Sequence, residues 1–328
     1  MLISLVICTY NRADILKTTL PSYKNLKIPT GIHLEIIYID NNSNDNTKTY
    51  LNNFIKLSNN KNIVYKYCFE GIQGLSHARN RGYQESSGDY IAYIDDECIL
   101  PTEWLEVAVK HIKAKTPAFL GGPYYGKYIP DTSSNWFKES YGDSYILQYN
   151  LPDGPMNGRY LSGGNLLIRR DVFEKIGLFD VELGMNGESM NYGEEQDFQK
   201  RLIAQFPEEI ILYISALYVW HLIREEKMSM GFLFKDALIR GVSSTKLIKN
   251  HSFLTLVLSP VFLVFTTIKA ILSYLYKLVI SFLSKESFYT LLYNDYQKGT
   301  WRDIGTSLGL LKLLFSHFSK YLNRISVN

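Results

Sequence analysis

Three apolar runs of this chain end abruptly in polar residues: "LISLVIC" in "TYNR", "HLEIIYI" in "DNNSNDNT", and "DYIAYI" in "DDEC". Each run is short and rich in Ile, Val and Tyr, the composition of a strand buried on both faces. Between them lie helical periodicities, so the alternation strand, helix, strand predicts a mostly parallel sheet covered on both sides. The first strand is expected over Ile3–Cys8, with the run beginning at once rather than reading as a leader. Ile15, Leu16, Thr19, Leu20 and Tyr23 mark the next helix, with Asn11 as its expected cap and Pro21 expected to kink or end it. "HLEIIYID", "NIVYKYC" and "DYIAYID" supply the following strands, and "GLSHARNRGYQESS" a helix between the last two.

In an open sheet of this kind, ligands bind beyond the carboxyl ends of the strands. Those ends carry Thr9 to Arg12, Asp40, and the consecutive acids Asp95, Asp96 and Glu97. Adjacent carboxylates repel and are rarely buried without compensation. They read either as a solvated loop or as ligands for a cation.

The remaining totals exclude rather than assign. A net charge of +3 over 328 residues, with no basic arm, argues against nucleic-acid binding. Cys8, Cys68 and Cys98 lack the spacing of a disulfide framework or a zinc site, which favours a reducing compartment. From about Gly121 to Tyr160 the chain looks irregular and aromatic. Order returns at "NLLIRR", followed by a short helix with Asp171 and Glu174 at capping-box spacing and Gly177 as its stop. "GEEQDFQKRLIAQ" is a further helix, and "IILYISALYVWH" reads as one strand with a polar exit.

Taken in order, "VICTYNR", "IYIDNNSNDNT", "GLSHARNRG", "GDYIAYIDDEC", "LSGGNLLIRRDVFEKIGLFD", "GEEQDFQKRL" and "VWH" resemble the family 2 glycosyltransferases over roughly Leu2 to Leu247. The resemblance implies the Rossmann-like GT-A fold and an inverting, metal-dependent transfer from a nucleotide-diphosphosugar, with a UDP-sugar as the expected donor. It implies donor contacts at Thr9, Arg12, Asp40, Arg79, Asp95, Asp96, Gly163, Gly164 and Asn165. It places a Mn²⁺ or Mg²⁺ ion at Glu97, with Asp95 and His221 as further ligands, although Glu97 stands where an Asp is usual. Glu195 takes the general base's place with Glu194 as alternative, again a Glu for the usual Asp. Without the resemblance, Glu194, Glu195 and Asp197 would be helix-start acids favoured by the dipole. Trp136, Phe137, Tyr141 and Tyr145, whose flat rings suit sugar faces, are candidate acceptor contacts together with Asp197; cover for the core is the competing reading.

Phe253 to Leu283 is the most apolar stretch, with Pro260, Lys269 and Lys277 expected to break it into an in-plane or re-entrant helical pair. After Asn250 eight bases (Lys269, Lys277, Lys285, Lys298, Arg302, Lys312, Lys320, Arg324) outnumber three acids (Glu286, Asp295, Asp303), which suits an anionic leaflet. "SLGLLKLLFSHFSKYL" adds an amphipathic helix. The expected organisation is therefore a GT-A domain over 1–247 and a helical, membrane-associated appendage over 248–328, at the cytoplasmic face, serving bacterial surface-polysaccharide assembly on a saccharide or lipid-linked acceptor. Homo-oligomerisation stays open. The rival readings are a sugar-phosphate nucleotidylyltransferase, for which "CTYNRAD" lacks a Gly-rich phosphate loop, and a non-catalytic nucleotide-sugar binding subunit.

Overall fold

The computed structural model describes the chain except for residues 59, 61, 130–150, 188–189, 249–250, 285–286, 289, 293–298 and 326–328. The expected acceptor residues Trp136, Phe137, Tyr141 and Tyr145 lie outside the described residues. In chain order the strands are β1 (Leu2–Thr9), β2 (His33–Asp40), β3 (Ile63–Phe69), β4 (Tyr90–Ile94), β5 (Cys98–Ile99), β6 (Phe119–Gly121), β7 (Tyr124–Ile129), β8 (Gly154–Pro155), β9 (Asn165–Arg169), β10 (Ile211–Tyr213) and β11 (Val219–Arg224). The helices of the sheet unit are α1 (Ala13–Lys24), α2 (Thr47–Leu57), α3 (Leu75–Glu85), α4 (Trp104–Lys115), α5 (Arg170–Ile176) and α6 (Glu194–Gln205). Those of the second unit are α7 (Met230–Lys246), α8 (Phe253–Val257), α9 (Ser259–Ser284) and α10 (Thr300–Ile325).

The central sheet runs β3-β2-β1-β4-β9-β6-β10-β8, with β3, β2, β1 and β4 parallel and β9 antiparallel to both of its neighbours. A smaller sheet pairs β5, β11 and β7. Successive side chains of one strand enter opposite cores. Ile3, Leu5 and Ile7 of β1 join Leu16, Leu20 and Tyr23 of α1 on one face, whereas Val6 joins Ala78 of α3 on the other. In β4, Tyr90, Ala92 and Ile94 face the first core, and Ile91 and Tyr93 the second. This double burial is why these runs read as continuously apolar rather than alternating. The order of β2, β1 and β4 reverses direction at β1, so the loops after β1 and β4 open the crevice in which such sheets bind ligands.

Several local expectations are corrected. Pro21 neither ends nor replaces α1, which continues to Lys24. The last turn is held from outside: Tyr23 is fully buried and its hydroxyl donates to the Cys98 carbonyl at 3.0 Å, which outweighs the missing proline N–H. Arg12, not Asn11, occupies the cap position of α1; Asn11 takes a positive φ of 52° and its side-chain oxygen accepts from the Asn44 N–H at 2.9 Å. The 171/174 capping box does not form, because α5 starts at Arg170 and Asp171 pairs with Arg169 at 2.6 Å. The stretch after Gly121 contains β7, and "IILYISALYVWH" is two strands, β10 and β11, in different sheets.

The chain divides into two units: one of Met1–Lys127, 151–187 and Glu194–Leu222, the other of 128–129, Met190–Gly193 and the described residues from 223 onward. In the helical unit, the Ser229 and Ser252 hydroxyls accept from Phe232 N–H and Thr255 N–H, each at 3.1 Å, and start α7 and α8. Glycines let α7 and α10 touch backbone to backbone: a Cβ on Gly241 would collide with the Arg302 carbonyl, and one on Gly305 with the Leu238 carbonyl. The apolar stretch does divide beside Pro260, α8 ending at Val257 and α9 starting at Ser259 with the proline as its second residue, where it costs no helical hydrogen bond; Lys269 and Lys277 lie inside α9 and do not interrupt it.

Candidate active site

The polar ends of β1, β2 and β4 are tied to one another. Thr9 pairs with Asp40 in the β1–β2 register, and the Asn41 N–H donates to the Thr9 carbonyl at 2.8 Å. The Thr9 hydroxyl donates to Asp96 Oδ2 at 2.7 Å, and Thr19 of α1 donates to the Asp96 carbonyl at 2.8 Å. Asp40 is buried, with Ser43 N–H donating to one carboxylate oxygen at 3.0 Å and the Tyr67 hydroxyl to the other at 2.8 Å. Burial pushes the Asp96 carboxyl up to about 6, the Arg12 cation opposing it and the Glu97 charge adding to it.

Glu97 and His221 face each other at 3.0 Å between Glu97 Oε1 and His221 Nε2, both buried. The meeting follows from β5 pairing with β11, where Cys98 stands opposite His221. The imidazole stacks on Tyr124 with ring centroids 5.7 Å apart, and its Nδ1 is buried without a hydrogen-bond partner among the described residues. A carboxylate oxygen and an imidazole nitrogen side by side are donors that Mn²⁺ or Mg²⁺ can accept, and such an ion would need its further ligands from diphosphate oxygens and water. No group of three His, Cys, Asp or Glu able to hold a metal unaided occurs among the described residues.

Behind this wall lies a buried ion pair. Arg79 of α3 contacts Glu194 of α6 at 2.5 Å and Asp95 at 4.0 Å, and both Arg79 and Glu194 are 4 % exposed. Burial alone would lower the Arg79 pKa, but Glu194, Glu195 and Asp95 reverse that and keep it charged. Two glycines pack against the group: a Cβ on Gly163 would collide with the Arg79 guanidinium, and one on Gly164 with the Asp95 carboxylate. Gly164 N–H donates to the Tyr124 hydroxyl at 2.8 Å, and its carbonyl accepts from Asp95 N–H at 3.2 Å. Glu195, next along α6, keeps partial solvent access. Burial first, and the adjacent Glu194 carboxylate second, raise its pKa well above the usual carboxylate range, with Arg79 pulling the other way.

Thr9, Asp40, Arg79, Asp95, Asp96, Glu97, Gly163, Gly164, Glu194 and His221 are therefore joined through shared contacts at the carboxyl edge of the sheet. Three side chains serve inside the fold. Asn165 accepts from Trp104 Nε1 at 3.1 Å and donates to the Leu217 carbonyl at 2.7 Å. Asp197 pairs with Arg201 at 2.7 Å, and Arg201 also donates to the Ile176 and Leu178 carbonyls. Arg79 is covered by Gly163 and committed to Glu194. Two positioning residues carry no signal in the sequence. Gln199 clips the 161–164 turn onto α6, accepting from Leu161 N–H at 2.9 Å and donating to the Leu161 carbonyl at 2.8 Å. Tyr67 fixes Asp40. Neither stands at a spacing that local periodicity detects.

The family model for glycosyl transferase family 2 matches residues 4–177, more than half of the chain, and covers β1 through α5. The chain belongs to glycosyl transferase family 2. Among its relatives, the succinoglycan biosynthesis protein ExoM of Rhizobium meliloti is 27 % identical over 197 residues, 60 % of this chain and 59 % of that protein. The chain thus spans less than two thirds of that relative's length. A glucosyl-dolichyl phosphate glucuronosyltransferase of Haloferax volcanii is 24 % identical over 252 residues, 74 % of this chain and 76 % of that protein. A mannosyltransferase of Pyrobaculum calidifontis, solved with GDP-Man and Mn²⁺, shares the fold with a TM-score of 0.60 at 13 % identity, covering 94 % of this chain and 87 % of the other.

Proposed function

We propose that this family 2 protein is an inverting glycosyltransferase that moves a sugar from a nucleotide-diphosphosugar, with uridine as the base, to a hydroxyl of a saccharide or lipid-linked acceptor in bacterial surface-polysaccharide synthesis. The observation that carries the reading is a buried carboxylate–imidazole pair, Glu97 with His221, at the end of the strand whose Asp95 reaches Arg79, the partner of Glu194 in the acid pair Glu194–Glu195. Glu97 and His221, with Asp95 beside them, would hold the divalent cation. When bound, it supplies positive charge against the departing diphosphate. Asp40, an acceptor held still by Ser43 and Tyr67, suits the imide N–H of uracil. The bare 163–164 backbone lets Arg79 and Asp95 pack close behind the turn that the donor sugar would face.

Glu194 is committed to Arg79, which leaves Glu195 to accept the acceptor hydroxyl's proton. As that O–H bond breaks, the oxygen attacks the anomeric carbon from the face opposite the diphosphate, whose bond to the sugar breaks with both electrons leaving on phosphate oxygen. Titrating Mn²⁺ and Mg²⁺ against a panel of UDP- and GDP-sugars, with release of nucleoside diphosphate as readout, tests the reading. Glu97→Gln is expected to raise the Mn²⁺ concentration needed for half-maximal release by at least about tenfold. Donor binding without any release, under every cation, would instead favour a non-catalytic binding subunit.

The helical unit supports attachment to the cytoplasmic face of a membrane. Ser259–Leu283 is the one helical stretch among the described residues long and apolar enough to cross a bilayer, and its length of about 38 Å exceeds a hydrocarbon core of about 30 Å. Its exposed side chains include Phe282 at 88 %, Leu283 at 71 % and Phe265 at 66 %. An apolar surface of that extent is covered in a folded protein in water. Phe265→Asp with Leu272→Asp is expected to move the chain from the membrane pellet to the soluble fraction. Retention in the pellet through an alkaline carbonate wash would count against α9 as the attachment.

A further inference from the structure

His221 faces Glu97 with one ring nitrogen, yet the other, Nδ1, is buried without a hydrogen-bond partner among the described residues. A histidine that ligates a metal ordinarily has its orientation set by a hydrogen bond at that second nitrogen. Here a ring face stands in its place. Tyr124 lies nearly parallel to the imidazole, with 10° between the planes and 5.7 Å between the centroids, the offset stack that aromatic rings favour. Tyr124 is buried and opens β7, the strand beside the β11 that carries His221. The far end of the same side chain reaches the 161–164 turn. Its hydroxyl accepts from Gly164 N–H at 2.8 Å, and the Gly164 carbonyl accepts from Asp95 N–H at 3.2 Å. Every residue in this chain of contacts belongs to the sheet unit.

We infer that Tyr124 is a positioning residue with two separable tasks: its ring holds the His221 imidazole in the plane from which Nε2 meets Glu97, and its hydroxyl holds the Gly164 end of the turn that the donor sugar would face. The inference rests on the proposed cation role of Glu97 and His221 and deepens it by naming what orients the imidazole. Tyr124 is not a catalytic residue; it acts through His221 and through the Gly164 backbone. The terminal torsion of a histidine is broad, so a ring with no neighbour on its face can turn and carry Nε2 out of line with Glu97. The two tasks need different parts of the side chain. Stacking needs only the ring, which phenylalanine also supplies. The Gly164 N–H is buried and needs an oxygen, which phenylalanine lacks. Leucine supplies neither.

The test uses the full chain with Tyr124→Phe and Tyr124→Leu. Mn²⁺ binding is read by electron paramagnetic resonance with UDP present, and UDP and UDP-sugar binding by calorimetry. Tyr124→Phe is expected to keep the Mn²⁺ Kd within about twofold and to weaken the UDP-sugar about tenfold relative to UDP. Tyr124→Leu is expected to raise the Mn²⁺ Kd by about tenfold or more. Unchanged Mn²⁺ affinity in Tyr124→Leu overturns the task of the ring, and an unchanged ratio of sugar to nucleotide affinity in Tyr124→Phe overturns that of the hydroxyl. Equal losses in both variants, in step with thermal stability, overturn both, because that is what a purely structural residue would give. If Tyr124→Leu does not fold, Tyr124→Phe decides alone: weakened Mn²⁺ binding in a chain that keeps the ring means that the ring is not what holds His221. Glu97→Gln, titrated alongside, separates the two readings. If it binds Mn²⁺ normally the cation assignment has failed, whereas if it binds weakly and Tyr124→Leu binds normally only the assignment of Tyr124 has failed.

Discussion

Glu195→Gln is expected to lower kcat by about 10²–10⁴-fold while leaving the nucleotide-sugar Kd within about twofold, measured by single-turnover transfer and by calorimetry on the same preparation. The carboxamide keeps the size of the side chain and removes only its ability to take a proton. Its neighbour cannot easily stand in. Glu194 is buried, its Oε1 is held by Arg79 at 2.5 Å, and the other face of that guanidinium is closed by Gly163. A Glu195→Gln enzyme with full activity would move the base elsewhere, and one that also lost donor binding would make Glu195 part of the donor site.

The same residue sets a pH dependence whose sign can be worked out. A general base acts only when deprotonated, and burial together with the Glu194 charge raises the Glu195 pKa above the ordinary carboxylate range. The kcat/KM limb that reports it therefore rises with pH, and does so at a higher pH than a solvent-exposed glutamate would give. The raised value also makes the carboxylate a stronger base once ionised, which a free carboxylate at neutral pH is not. Glu194→Gln removes the adjacent negative charge and should shift that limb to lower pH. A limb that stayed in place would mean that the two carboxylates are not electrostatically coupled.

The contrast between what local sequence conveys and what the fold adds is clearest at particular residues. β1, β2 and β4 were legible because their burial on both faces writes itself as unbroken apolar runs, and their polar termini pointed to the carboxyl edge of the sheet. Glu97 and Glu195 could be singled out from motif order. What local pattern could not convey was partnership. That Arg79 answers Glu194 across 115 positions, and Glu97 answers His221 through the pairing of β5 with β11, is decided by topology alone. The two prolines differ for the same reason: Pro21 does not end α1, whose last turn the distant Cys98 carbonyl holds through Tyr23, whereas Pro260 does mark the break between α8 and α9. Tyr67 and Gln199 give no warning, since each looks like an ordinary element residue until its partner is known.

The buried pair itself supports the second large effect. Arg79→Met is expected to lower the stability of the sheet unit by about 3–5 kcal/mol, because it leaves the Glu194 carboxylate buried without its counter-charge. For a unit of this size that corresponds to a fall in Tm of roughly 6–20 °C, read by calorimetry. The decisive arm is the double variant, Arg79→Met with Glu194→Met. If the cost comes from an orphaned charge, removing the second charge should restore most of the lost stability, since apolar replacements of a buried pair are often neutral or better. The space can accept them: Arg79 lies 5.7 Å from the centroid of the Phe179 ring and 5.9 Å from that of Tyr93, on an aromatic wall that a thioether can pack against. Transfer should nonetheless stay depressed in the double variant, because the acid next to Glu195 and the cation beneath Gly163 are both gone. Stability that failed to recover would mean that Arg79 works through packing on Tyr93 and Phe179 rather than through its charge. Recovery of stability together with full transfer would mean that the pair is structural and Glu195 needs neither partner.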